Sequence, residues 1–294
     1  MPFLRTPADR FADLPDFPYP PRYADVGGPR MGYVETGPAD GPAVLLLHGE
    51  PTWSYLYRTV LPVLADAGIR AIAPDLVGFG RSDKPAEAAC HSYANHLEWL
   101  RTLAFDALDL TGVTVVGQDW GGLLGLRLAA EHPDRVARIV AANTGLPTGE
   151  HDMPQVWWQF RRAVESAPVL DVGRLVQAGC RTRLPDAVRA AYDAPFPDET
   201  YKVAPRAMPG LVPVSTDDPA SAANIAAWQV LRRWDKPFLV AFSDGDPITG
   251  PMAPVLVDQV PTATAHPPLS GGHFLQEDAG AELGAAIAEF VRTT

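Results

Sequence analysis

The chain has little cysteine and no long apolar run. Its 294 residues include only two cysteines, Cys90 and Cys180, too few for a disulfide framework, so we expect buried or neutral thiols. No apolar run approaches the roughly 18 residues that would indicate a transmembrane helix. Residues 1–26 are interrupted by prolines and lack the apolar stretch of a signal peptide. These absences predict a soluble, cytoplasmic protein.

Positive charge is also scarce. Lys and Arg together number 24 against 35 Asp and Glu, which gives a formal net charge of −11. An acidic surface repels phosphate backbones and anionic lipids, so nucleic acids and membranes are not expected partners. The histidines show no metal-ligand spacing, so no metal site is expected. The hydrophobic fraction of 47% is enough for one large core with an elaboration.

Short apolar runs alternate with helical patterns. The runs resemble strands buried on both faces and occupy residues 43–49, 69–75, 113–117, 138–143 and 237–244. Apolar residues at helical spacing occupy residues 93–110, 123–131 and 277–291. We expect Ser92 to cap the start of the first helix and Gly112 its end. The alternation predicts an α/β protein with a mostly parallel sheet covered by helices on both faces.

This alternation stops between residues 147 and 224. The segment is rich in proline and contains helical patches at residues 155–164 and 184–192. We interpret it as a helical cap domain inserted between two strands. The predicted main domain therefore comprises residues 1–146 and 225–294, and the cap comprises residues 147–224.

A glycine-flanked Asp follows the third predicted strand, in the run Gly-Gln-Asp-Trp-Gly from Gly117 to Gly121. A strand, a sharp turn and a helix are the setting of a nucleophile elbow, which presents its central residue to a cleft. The carboxylate of Asp119 is already ionised and can displace a leaving group from a saturated carbon, forming an ester of the protein. The alternative is that Asp119 is only a helix N-cap.

The nucleophile needs a base and an acid later in the chain. His273 follows two glycines near the C-terminus and is the predicted base that activates water. Asp244 and Asp246 both follow the strand at residues 237–244, and we favour Asp246 as the acid that orients the imidazole. His48 is expected to brace the loop after its own strand.

Backbone donors and indoles complete the predicted site. The N–H groups of Glu50 and Trp120 are expected to form the oxyanion hole. The side chain of Glu50 is a candidate for positioning the hydrolytic water. The indole N–H of Trp120 can face a departing halide, with a second donor from Trp157 or Trp158, of which Trp158 is preferred.

Five segments resemble the haloalkane dehalogenases of the α/β-hydrolase fold. They are HGEPTWSYLYR (residues 48–58), DLVGFGRSDKP (75–85), GQDWGG (117–122), AAYDAPFPDETYKVAPRAMP (190–209) and GGHFLQED (271–278). The resemblance runs from about residue 30 to the C-terminus, and it implies Asp119 as nucleophile, His273 as base and Asp246 as acid. It also implies halide contacts from Trp120 and a cap tryptophan. The substrates would be a small halogenated aliphatic molecule and water, with a halide ion as product and no metal or organic cofactor.

Three alternatives share this scaffold. An epoxide hydrolase would need cap tyrosines, for which Tyr192 and Tyr201 are candidates. A dehalogenase of fluoroacetate type would need arginines above the nucleophile, for which Arg161 and Arg162 are candidates. A catalytically silent binding protein would have a broken triad, whereas the triad is complete here. We expect a monomer.

Overall fold

A computed structural model describes residues 3–294. Met1 and Pro2, which the predicted main domain includes, lie outside the described residues. The strands are β1 (Phe3–Leu4), β2 (Arg22–Asp25), β3 (Arg30–Thr36), β4 (Ala43–Leu47), β5 (Arg70–Pro74), β6 (Lys84–Pro85), β7 (Val113–Gln118), β8 (Val136–Ala142), β9 (Phe238–Val240) and β10 (Ala263–Ala265).

Helices fill most of the remaining chain. They are α1 (Leu61–Asp66), α2 (Tyr93–Arg101), α3 (Trp120–Glu131), α4 (Gln155–Ser166), α5 (Val172–Ala178), α6 (Asp186–Asp193), α7 (Val203–Ala207), α8 (Ser221–Leu231), α9 (Met252–Gln259) and α10 (Leu275–Thr293). A π-helical stretch, Thr102–Ala107, continues α2. Within residues 3–294, no helix combines the length and apolar character that a membrane span needs.

The main sheet confirms the predicted α/β class. Its eight strands lie in the order β10-β9-β8-β7-β4-β5-β3-β2, and all neighbours are parallel except that β3 runs antiparallel to β2 and β5. Five of its strands, β4, β5, β7, β8 and β9, correspond to the predicted apolar runs. The central strand β7 is buried at every residue, because sheet neighbours and helices cover it on all sides.

Strand register brings several strand ends together. Leu47 on β4 pairs with Gly117 on β7, which in turn pairs with Ala141 on β8, and Ala141 pairs with Val240 on β9. The carboxyl ends of four parallel strands therefore lie at one edge of the sheet, where ligands bind in open α/β folds. The loops that follow these strands carry the predicted catalytic groups.

Residues 147–224, the predicted cap, contain helices α4 to α7 and the start of α8. Helices α4 to α7 lie between β8 and β9. The predicted boundary at residue 224 falls inside α8, and α8 packs against helix α3 of the main domain. Ser92 caps α2, since its hydroxyl accepts a hydrogen bond from the Asn95 N–H. The prediction for Gly112 was wrong, because the helical chain ends at Ala107 and Asp109 already has a positive φ of 45°.

Candidate active site

Asp119 stands at the sharp turn between β7 and α3. Its φ of 51° and ψ of −125° are unusual for a residue other than glycine, and such strain is typical of functional turns. Its side chain makes no capping bond to α3. Instead its Oδ1 accepts a hydrogen bond of 2.8 Å from the Glu50 backbone N–H, in the loop after β4. The interpretation of Asp119 as a simple N-cap is therefore wrong.

Glycines make this turn possible. A Cβ on Gly121 would lie 2.1 Å from the Leu47 carbonyl oxygen, and one on Gly117 would lie 2.5 Å from the Gly122 Cα. Both separations are well inside van der Waals contact, so α3 can approach β4 and β7 only with glycine at these positions. The close approach leaves Asp119 turned outward, toward the loop after β4.

His273 reaches Asp119 from the loop before α10. Its Nε2 lies 3.5 Å from Asp119 Oδ2, and its Nδ1 lies 3.0 Å from Asp246 Oδ2. The amide of Asn143, just after β8, donates to the backbone carbonyls of Gly272 and His273 at 2.9 and 3.0 Å. The structure thus brings together the three residues predicted as nucleophile, base and acid, and Asn143 holds the loop that carries the base.

The two candidate acids have different surroundings. The Asp246 carboxylate is fully buried and accepts hydrogen bonds from the Ile248 N–H and the Thr249 hydroxyl. The Asp244 side chain is 47% exposed and forms an ion pair of 2.8 Å with Arg181. Asp246 contacts the imidazole, and Asp244 does not face it.

The carboxylates determine the charge of the imidazole. Burial alone would lower the pKa of His273, but the negative charges of Asp246 and Asp119 outweigh it and raise this pKa to about 10. Burial would raise the pKa of Asp246, yet the charged His273 and the donors around the carboxyl hold it below its usual value. His273 therefore lies between two carboxylates, both of which favour its protonated form.

Glu50 is a buried carboxyl beside this charged group. Burial first, and then the negative charge of Asp119, raise its pKa well above the usual range. Its Oε1 has no hydrogen-bond partner among the described residues. Its surroundings therefore favour the protonated carboxyl, and Glu50 lines the space in front of Asp119.

A cavity of about 1070 Å³ opens in front of the carboxylate. Asp119, Glu50 and His273 lie in its wall, together with the apolar residues Trp120, Leu123, Leu146, Trp157, Phe160 and Val212. Such a lining excludes water from a small apolar ligand and leaves few polar groups to orient it. Among residues 3–294, no group of His, Cys, Asp or Glu side chains is arranged to hold a metal ion.

The tryptophans divide into two kinds. Trp53 and Trp228 donate their indole N–H to the backbone carbonyls of Ala191 and Leu146, so these donors serve the fold. Trp120 and Trp157 are buried and line the cavity.

The cap residue preferred as the second halide donor does not line the cavity. Trp158 packs edge-on against Trp157, with ring centroids 4.8 Å apart, and lies outside the cavity lining. Trp157 lines the cavity and Trp158 does not, so the cavity lining favours Trp157 as the candidate for the second halide contact.

His48 has the bracing role expected for it. Its Nε2 accepts a hydrogen bond of 2.9 Å from the Leu76 N–H, and its Nδ1 lies 2.9 Å from the Gly49 carbonyl oxygen. Gln118 and Asn143, by contrast, contact His273 and were not singled out from the sequence. Only the place of Gln118 next to Asp119 could have drawn attention to it.

The side chains required by the alternative activities lie elsewhere. Tyr192 donates its hydroxyl hydrogen to Glu277, and neither Tyr192 nor Tyr201 lines the cavity. Arg161 pairs with Glu165, and neither Arg161 nor Arg162 lines the cavity. The candidate tyrosines and arginines therefore do not line the cavity, whose wall includes two other arginines, Arg181 and Arg232.

Known proteins share this fold and much of this sequence. A family model described as alpha/beta hydrolase fold matches residues 42–280. A haloalkane dehalogenase from Mycobacterium marinum is 50% identical over 98% of this chain and 99% of its own length. Haloalkane dehalogenase 1 from Mycobacterium bovis is 50% identical over all of both chains.

Solved structures agree. The haloalkane dehalogenase DpaA from Paraglaciecola agarilytica NO2, described as tetrameric, superposes with a TM-score of 0.91 at 36% identity, covering 97% of both chains. DbeA from Bradyrhizobium elkani superposes with a TM-score of 0.81 at 27% identity, covering 94% of this chain and 99% of its own. With the fold, the aspartate elbow and full-length similarity in agreement, the chain belongs to the haloalkane dehalogenases of the α/β-hydrolase fold.

Proposed function

We propose that this protein hydrolyses haloalkanes to a primary alcohol, a halide ion and a proton through a covalent alkyl-aspartate. The observation that carries the proposal is the Asp119 carboxylate, which lies in the cavity wall between the Glu50 N–H and the His273 imidazole. An ionised carboxylate in a water-poor cavity is suited to attack on a saturated carbon.

In the first step a carboxylate oxygen displaces the halide. Asp119 Oδ1 is occupied by the Glu50 N–H, so Oδ2 is the oxygen available for attack. A bond forms between Oδ2 and the substrate carbon while the carbon–halogen bond breaks, and the halide leaves with the electron pair. The protein is then an ester at Asp119, with no charge on that side chain.

The leaving halide requires weak, uncharged donors. The indoles of Trp120 and Trp157 line the cavity and can each donate an N–H to it. A lysine would instead pair with Asp119 and reduce its nucleophilicity, so indoles suit this role better. Trp157 replaces Trp158 as the proposed second donor.

In the second step water cleaves the ester. Water attacks the Cγ of Asp119 and gives a proton to His273 Nε2, and the resulting oxyanion is held by the backbone N–H groups of Glu50 and Trp120. Collapse expels the alkoxide, which takes the proton from His273 and leaves as the alcohol. The Asp119 carboxyl then gives its proton to His273, which restores the carboxylate and the protonated ring.

Alkylation itself prepares His273 to act as a base. In the free protein Asp119 and Asp246 both stabilise the imidazolium. The ester removes the charge of Asp119, and burial then opposes the charge of Asp246 alone, so the pKa of His273 falls in the intermediate. The ring can thus release a proton before the water attacks.

The Glu50 carboxyl is proposed to bind the hydrolytic water. Its Oε1 is buried, has no hydrogen-bond partner among the described residues and can accept a hydrogen bond from that water. We expect Glu50→Gln to keep most of the activity and Glu50→Leu to lose much more of it in the hydrolytic step. Equal losses in the two variants would remove this role.

The covalent step is tested with His273→Gln. This variant should consume one equivalent of 1-bromobutane and stop, because only the second step needs the base. Mass spectrometry of the intact protein and of its peptides should show one butyl group on Asp119. Unmodified protein after a saturating dose, with wild type active in parallel, would contradict the alkyl-enzyme.

Two readouts distinguish the alternatives. Wild type should release bromide and butanol in equal amounts from 1-bromobutane, and it should leave 1,2-epoxybutane intact. Epoxide opening without bromide release would favour an epoxide hydrolase. Binding of either compound without turnover would favour a silent binding protein.

We further propose that the protein acts as a monomer in the cytoplasm, in detoxification of halogenated compounds, without a metal or organic cofactor. The acidic surface and the absence of an apolar span within residues 3–294 support this setting. The tetramer belongs to the Paraglaciecola protein. Sedimentation of the purified chain at several concentrations tests the monomer, and activity after dialysis against a chelator tests metal independence.

A further inference from the structure

Gln118 lies next to the nucleophile and is fully buried. Its amide nitrogen is 3.2 Å from His273 Nε2 and 3.2 Å from the His273 carbonyl oxygen. Turning the amide over would place its oxygen against that carbonyl, with two acceptors in contact. The nitrogen is therefore the atom that faces His273, and it can donate one N–H to the carbonyl and, when Nε2 carries no proton, the other to the imidazole.

A structural role explains this amide poorly. The His273 carbonyl already accepts a hydrogen bond of 3.0 Å from Asn143, so the bond from Gln118 duplicates it. The Gln118 Oε1 is buried and has no partner among the described residues, which is unfavourable for stability. What no other amide supplies is the contact with Nε2.

We propose that Gln118 is a positioning residue for the hydrolytic step, whose amide N–H keeps the Nε2 of His273 free of a proton and aimed at the ester. The inference rests on the function proposed above. The His273 proton then resides on Nδ1, where Asp246 accepts it at 3.0 Å. At 3.2 Å the Gln118 contact is at the long end of the hydrogen-bond range, so an approaching water proton can replace it.

The surrounding charges define when this contact matters. Asp119 faces Nε2, Asp246 faces Nδ1, and Glu50 is a buried carboxyl whose pKa is raised by burial and by the charge of Asp119. Before alkylation both carboxylates favour the protonated ring. After alkylation only Asp246 favours the proton, and the positive end of the Gln118 N–H opposes it at Nε2. Removing that N–H should raise the pKa of His273 in the alkyl-enzyme and reduce the fraction able to act as a base.

The test uses Gln118→Met, which keeps the length of the side chain and removes both N–H groups. Its matched control is Gln276→Met, since Gln276 is also buried and lies three residues beyond His273, beside Tyr57 rather than the imidazole. Both variants and wild type are alkylated with 1-bromobutane in a single turnover from pH 6 to 10. Mass spectrometry of quenched samples follows the decay of the butyl-enzyme.

The rate of butyl-enzyme decay should fall on the acidic side of its pH profile, and we call this fall the acidic limb. In Gln118→Met the midpoint of the limb should rise by about half to one pH unit, the size expected for one lost hydrogen bond. A midpoint shift of that size should slow the decay at pH 7.5 by about three- to tenfold. Formation of the butyl-enzyme should stay within about twofold of wild type, because the first step does not need the base. Gln276→Met should leave the limb in place.

Stability separates this role from a purely structural one. Gln118→Met should melt at or above the wild-type temperature, because it removes the unpaired Oε1. Gln118→Glu is a second variant: its carboxylate would stabilise the imidazolium and move the limb further up than Met does.

If wild type forms the butyl-enzyme but the acidic limb stays in place in both Gln118→Met and Gln118→Glu, the inference about Gln118 is overturned and the proposed function is not. If wild type forms no butyl-enzyme, the proposed function itself fails.

Discussion

The loops at the strand ends and the helical cap build one cavity by different means. At the strand ends, backbone register and glycine contacts place Asp119 and Glu50 with little help from side chains. In the cap, Trp157 is placed by helix α4, which packs against α7 through side chains. A change in the backbone contacts at the strand ends would displace Asp119 and Glu50, whereas side chains in the cap can repack. We therefore expect the sheet to fix the position of these two residues and the cap to set the shape of the cavity.

Polar contacts attach the cap to the main domain at several points. Tyr192 on α6 donates to Glu277 on α10, which also pairs with Arg58 through a hydrogen bond of 2.6 Å. Trp53 donates to the carbonyl of Ala191 on the same cap helix. These contacts hold α6 over the main domain, whereas the Val164 carbonyl of α4 accepts a hydrogen bond from Arg206 within the cap.

The largest expected effect comes from a substitution at the strand ends. Asp119→Ala should lose at least about 10⁴-fold in bromide release, because no alkyl-enzyme can form. An ion chromatograph measures bromide from 1-bromobutane over hours. Circular dichroism and a retained affinity for iodide control for folding. Steady bromide release by this variant, above the buffer background, would contradict the assignment of the nucleophile.

The two aspartates after β9 form a matched pair in the same loop. Asp246→Asn should lower turnover by about 10³- to 10⁴-fold, because an amide cannot stabilise the imidazolium or fix its tautomer. Asp244→Asn loses an exposed ion pair and should stay within about threefold of wild type. Steady-state kinetics on both variants checks this, and similar losses in the two would mean that the acid has been misassigned.

The cap makes a weaker, graded prediction. Trp157→Phe should weaken iodide binding by about five- to thirtyfold, the cost of one hydrogen bond to a charged group. Trp158→Phe, its neighbour outside the cavity, should leave the affinity unchanged. Quenching of the remaining tryptophan fluorescence measures both. A larger loss in Trp158→Phe would restore the preference drawn from the sequence.

The smallest effect concerns the attachment of the cap. Tyr192→Phe removes one buried hydrogen bond to Glu277 and should lower stability by about 1–3 kcal/mol, or a few degrees in Tm. The rate of alkylation should change little, because Asp119 is held by the sheet. Differential scanning calorimetry measures the change in stability, and single-turnover kinetics measures the rate of alkylation. A loss of alkylation with an unchanged Tm would mean that the two regions are not independent.

Local patterns predicted much of the fold. The five apolar runs became β4, β5, β7, β8 and β9, and the patches at residues 155–164 and 184–192 became α4 and α6. Strands β2, β3 and β10 of the main sheet were not predicted. Strands β2 and β10 lie at the sheet edges and are largely exposed, so they lack an apolar run. The end of α2 was misplaced at Gly112, since the π-helical turn that ends it has no glycine signal.

The sequence by itself determined the turn that carries Asp119, because glycine spacing, strand and helix lie within a few residues and act through local sterics. It also determined the family, since the motifs stand in chain order. Tertiary structure decided which neighbour of a pair lies at the candidate site: Asp246 rather than Asp244 contacts His273, and Trp157 rather than Trp158 lines the cavity. Tertiary structure alone brought Gln118 to an imidazole 155 residues away. Adjacent residues share composition but point in different directions, and only packing against distant elements fixes which direction meets the substrate.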